Sequence, residues 1–167
     1  MLRKTLGGLS VALGVLTATS GLAEETGSAT LVIDGTEYQF ELNAKQSDWS
    51  GSESYASLNI WLNAANDETR SAFPGMTIGF EYLGDQPRAA EIRLMKSNGG
   101  ETERLFGDPD ASAVVLDLGE VAVDGDEISL SGTLSSSFGT SENFGITIDF
   151  SAPVQADGSF SVTLGPV

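Results

Sequence analysis

Apolar and polar residues alternate strictly through most of the chain. Tyr38, Phe40 and Leu42 are separated by Gln39 and Glu41, and Leu58, Ile60 and Leu62 by Asn59 and Trp61. Met76, Ile78, Phe80 and Tyr82 are separated by Thr77, Gly79 and Glu81, while Ile92 and Leu94 flank Arg93. Later come Ile128, Leu130 and Leu134, then Phe144, Ile146, Ile148 and Phe150, then Phe160, Val162 and Leu164, all interleaved with Ser, Thr, Gly or Asp. Successive side chains of a strand point to opposite faces, so each run predicts a strand with one dry face and one wet face.

The turn residues agree with this reading. Asp34-Gly35 predicts a two-residue hairpin that sets Leu31 opposite Tyr38 and Ala29 opposite Phe40. Gly125-Asp126 does the same for Val123 with Ile128 and Val121 with Leu130, the leading glycine suiting a type II′ turn. Asn98-Gly99-Gly100 predicts a third hairpin, and all five prolines fall between apolar runs or at the terminus. Residues 64–71 are the one stretch of the mature chain that suits a helical turn. The expected fold is all-β, an antiparallel β-sandwich or small closed barrel of about nine or ten short strands.

A transmembrane barrel shows the same alternation with its apolar face turned to lipid. The alternating runs, mostly five to eight residues, fall short of the ~9–11 a membrane strand needs. Aromatics make up 8% of the chain and do not bracket the runs. A soluble domain is the expectation, with a small outer-membrane β-barrel as the alternative.

The amino terminus sets the compartment. Arg3 and Lys4 precede an apolar run from Leu6 to Ala18, and Gly21 and Ala23 are small at the −3 and −1 positions before Glu24. That is a secretory signal peptide over residues 1–23, too short in its apolar part for a ~20-residue span. Residues 24–167 then form a single domain with 24 acids and 6 bases, net −18, and no membrane span. Export without any cysteine points to a periplasmic or secreted protein of a bacterial envelope, since small eukaryotic secreted domains lean on disulfides.

Composition then removes chemistries. Without His or Cys there is no Ser-His-Asp triad, no thiolate nucleophile and no ordinary zinc site. A formal charge of −16 for the whole chain repels nucleic acid. Carboxylate pairs could run glycoside hydrolysis, yet with so many acids two in proximity identify nothing, and the serine-rich stretches carry no nucleophile motif.

Three candidate sites remain. Trp61 falls on the polar face of its strand with Tyr55 and Asn59, and Trp49 stands just upstream in a loop-like sequence. Exposed aromatics beside Asn suit stacking on a flat ligand face such as a sugar; the plainer account is that a loop covers the indole. Asp108 and Asp110, and Asp124 and Asp126, place paired carboxylates in turns, where a weak calcium site or simple turn chemistry accounts for them. No other cofactor is expected. Arg88, Arg93, Lys96 and Arg104 gather four of the six mature bases into residues 88–104, as a partner contact or as cross-strand pairing with neighbouring Glu. The expected function is an exported, acidic, non-catalytic binding or accessory domain for a small molecule, glycan or envelope protein, with a carboxylate-dependent glycoside hydrolase as a second alternative.

The charge makes a measurable prediction. Self-repulsion at net −18 is screened by salt, so the melting temperature should rise between dilute buffer and ~0.5 M NaCl. A flat or falling melting temperature would contradict this. A few millimolar calcium acting far beyond NaCl of equal ionic strength would establish an acidic turn as a cation site.

Overall fold

A computed structural model describes residues 25–84, 86–107 and 113–165. The expected signal peptide lies outside them. Among the described residues the chain forms ten strands and one short helix, all strand pairings antiparallel within one sheet. In chain order these are β1 (Thr26–Ile33), β2 (Thr36–Leu42), β3 (Asp48–Ser52), β4 (Tyr55–Ala64), α1 (Asp67–Ala72), β5 (Gly75–Leu83), β6 (Gln86–Asn98), β7 (Glu101–Gly107), β8 (Val114–Asp124), β9 (Glu127–Thr140) and β10 (Asp149–Leu164).

The local signals act as the sequence implies. The β1–β2 turn has positive φ at both Asp34 and Gly35, which a type I′ hairpin needs, and sets Leu31 opposite Tyr38 and Ala29 opposite Phe40. The β8–β9 turn has positive φ at Gly125 and pairs Val123 with Ile128 and Val121 with Leu130. Asn66 caps α1, its side chain accepting the Thr69 N–H at 2.8 Å. The helix covers one flank, where Thr69 Oγ1 accepts from the Gln39 backbone N–H.

The sheet is barrel-like. Its pairings run β10-β1-β2-β4-β5-β6-β7-β9, and β9 pairs back to β10. Two strands lie off this ring. β3 takes the edge of β4 beyond the end of β2, and β8 takes the edge of β9 beyond the end of β7. The β7–β9 junction is a single pair, Phe106 with Gly139.

The interior is filled by side chains. Leu31, Phe40, Ile60, Met76, Ile92 and Phe138 are among those fully buried, as expected for a small barrel. Most outward positions are polar, among them Glu37, Gln39 and Glu41 on β2, Ser57 and Asn63 on β4, and Asp157 and Ser159 on β10, with Val32 and Val115 as exposed apolar exceptions. That polarity is the reverse of a barrel set in lipid, whose outside is the apolar side. Strand length does not make the distinction, because β4, β6, β8, β9 and β10 run from 10 to 16 residues.

One expected strand is not formed. Phe144, Ile146 and Ile148 alternate with polar residues, but residues 141–148 form the β9–β10 loop. Side chains there take the backbone hydrogen bonds a ladder would use: Ser141 Oγ accepts the Gly145 N–H at 2.9 Å, and Asn143 Oδ1 accepts the Thr147 N–H at 2.8 Å. β10 starts at Asp149 opposite Thr140, then shifts register so that Val154 faces Phe138.

Candidate functional site

The β7–β9 junction leaves an opening in the barrel wall. Because β7 meets β9 only at Phe106, its residues Glu101–Leu105 pair with β6 alone among the described residues. An open cleft of about 1120 Å³ lies between this part of β7 and the β9–β10 loop. Phe106 faces outward opposite Arg93, yet it is buried, because the loop packs over it: a Cβ at Gly145 would stand 2.8 Å from the Phe106 ring. Phe106, Met95 and Ile148 give the cleft its apolar wall, and Arg104, Glu103, Glu142 and Asp149 give it charge.

The loop carries the two most exposed large apolar side chains among those described, Phe144 at 84% and Ile146 at 86%. Phe144 also has φ +60, a left-handed conformation that an aromatic residue seldom adopts. The hydrogen bonds of Ser141 and Asn143 hold it there. Strain of this kind costs on the order of 1–3 kcal/mol and persists only where the surroundings enforce it. The Asp149 carboxyl at the loop's end is held below the usual Asp range, chiefly by accepting the Ser151 backbone N–H and further by the Ser151 side chain. It stays ionised at neutral pH and is not a proton donor there.

The structure separates the proposed tryptophan pair. Trp49 belongs to β3, not to a loop, and is 7% exposed; it faces the core opposite Leu58, and its Nε1–H donates to the Asp126 carbonyl at 3.1 Å. Trp49 therefore cannot join a surface site with Trp61. Trp61 and Asn59 are half-buried and Tyr55 is exposed, all on the outer face of β4. Asn59 donates to the Gln46 carbonyl at 3.5 Å, and the Tyr55 hydroxyl to Glu81 at 3.4 Å. Thr77 stands between Trp61 and Arg93 in one cross-strand row and is only 7% exposed although it faces outward. The indole is thus partly settled on the sheet. Acrylamide should quench one fluorescence component and spare another; Trp61→Phe should leave only the protected, blue-shifted emission of Trp49. Uniform quenching of both would contradict this.

The other candidates remain apart. Asp108 and Asp110 lie outside the described residues. Asp124 and Asp126 flank Gly125 in the β8–β9 turn, both exposed, and among the described residues no group of three or more His, Cys, Asp or Glu converges. The basic residues are spread along the β6–β7 hairpin. Arg88 faces Glu81, Lys96 faces Glu103, and Arg104 faces Met95, while Arg93 pairs along its own strand with Glu91 at 2.9 Å, exposed and hence of little energetic weight. Of the four, Arg104 lines the cleft.

Sequence reasoning missed the cleft because it read Phe144 to Phe150 as strand. Ser141 and Asn143 just before that run and Gly145 inside it are turn formers and were the available signal. Comparison with family models, curated proteins and solved structures returns no match.

Proposed function

We infer that the protein is an exported, soluble, non-catalytic binding module of a bacterial envelope that takes its partner at the cleft between β7 and the β9–β10 loop. The observation that carries this reading is the loop itself. It presents Phe144 and Ile146 to solvent on a backbone held in a strained conformation, beside an open cleft of about 1120 Å³. Exposing two large apolar side chains loses about 25 cal/mol for each Å² that burial would remove from water, and adjacent exposed apolar groups mark interaction sites. The polar outside of the barrel supports the soluble reading over the outer-membrane one. The absence of His and Cys from the sequence supports binding over catalysis.

Fractionation of the native host tests compartment and state together. Release with the periplasm or culture fluid, without detergent, is the expected result. Recovery only from detergent-extracted outer membrane would restore the membrane-barrel alternative. Turnover of a glycoside that a single carboxylate substitution abolishes would restore the enzyme alternative.

A further inference from the structure

We propose that the partner enters the cleft as an extended, basic segment that adds a strand to the free edge of β7. This rests on the cleft being the binding site, and it specifies the chemistry of what binds there. A strand whose second edge is unpaired presents a row of backbone N–H and C=O groups that another chain can complete. Glu101–Leu105 of β7 is such an edge among the described residues, and the cleft beside it is open.

The side chains of β7 say what the added strand would carry. Glu101 and Glu103 point to one face, and Thr102, Arg104 and Phe106 to the other. An incoming strand places its own alternate residues beside these two rows. Basic residues would stand next to Glu101 and Glu103, and aliphatic residues next to Phe106 and the stem of Arg104, under Phe144 and Ile148 of the loop. Glu142 and Asp149 on the loop outnumber Arg104 and add to the preference for a cationic partner, as does the net −18 of the mature chain. A second copy of this chain is a poor occupant. Antiparallel pairing of Glu101–Leu105 with itself, over three or more pairs in registers that keep side chains on their own faces, sets Glu103 opposite Glu103, Glu101 opposite Glu103, or Arg104 opposite Arg104, like charges in each case.

The probe is a blocked hexapeptide of alternating lysine and valine, compared with its alternating glutamate and valine counterpart and with two lysine–valine peptides, each N-methylated along one of the two edges. Added to the mature protein at about 1 mM, within reach of a weak peptide affinity, the lysine peptide should slow amide exchange of those Glu101–Leu105 N–H groups that point away from β6 by about tenfold or more. The glutamate peptide should bind at least about tenfold more weakly. The peptide methylated on the pairing edge should give no protection, and Glu142→Lys with Asp149→Lys should weaken lysine-peptide binding while the protein stays folded. No slowing at β7, equal binding of the acidic peptide, or equal protection by both single-edge methylated forms would overturn strand addition. Photo-crosslinking from the loop separates this failure from failure of the site. A protein adduct at Phe144 without β7 protection would leave the cleft as the binding site and remove strand addition, whereas no adduct there would remove both.

Discussion

Trp49→Ala should destabilise the protein by about 3–5 kcal/mol, the usual cost of emptying a large aromatic from a core. The side chain joins distant parts of the barrel. It packs from β3 into the interior opposite Leu58, and its Nε1–H reaches the carbonyl of Asp126 in the β8–β9 turn, 77 residues further along the chain. Its loss opens a cavity and unties β3, a five-residue strand that among the described residues pairs with β4 alone. Trp49→Phe should cost less. It retains most of the burial and removes the hydrogen bond, worth about 1 kcal/mol where the exposed turn lets water reach the carbonyl. Trp61→Ala, on the outer face and only half-buried, should cost markedly less than Trp49→Ala. Urea unfolding of the three variants measures the order. A Trp61 substitution as damaging as that of Trp49 would contradict the placement of both residues.

Gly158→Ala should cost about 3 kcal/mol or more, at the upper end of what overpacking a filled core produces. Gly158 lies in β10 between Leu31 on β1 and Leu134 on β9. A Cβ there would stand 2.1 Å from the Thr30 carbonyl oxygen and 2.7 Å from Leu31 Cδ2. The first of these is backbone, so the clash is relieved only by parting β10 from β1. Gly125→Ala gives the comparison. Its Cβ would meet nothing within 4 Å, but φ is +63, which costs a non-glycine residue about 1–2 kcal/mol. The account predicts the larger loss at Gly158, where the conformation is ordinary and the space is missing. Equal losses, measured as shifts in the urea midpoint at constant slope, would mean that β10 adjusts to the added atom.

Whether a feature was legible in the sequence depended on how local its cause is. Asp34-Gly35 and Gly125-Asp126 fixed their hairpin registers because a two-residue turn leaves one way to align the flanking apolar rows. The helical turn was legible only as the stretch 64–71, within which Asn66 caps α1 through its own side chain. The burial of Trp49 was hidden because its hydrogen-bond partner, Asp126, is distant in sequence. The cleft was hidden twice over. Its existence depends on β7 and β8 sharing the edge of β9, a matter of global pairing. Its loop carries a strand-like alternation that the turn chemistry of Ser141, Asn143 and Gly145 overrides.

The most direct test of the binding account is photo-crosslinking in the native host, with benzoylphenylalanine replacing Phe144 in one strain and Trp61 in another. The account predicts a discrete protein adduct from the Phe144 position, lost when Ile146 is also replaced by Ser, and no matching adduct from the Trp61 position. Adducts to phospholipid from the Phe144 position, or a protein adduct formed only from the Trp61 position, would contradict it.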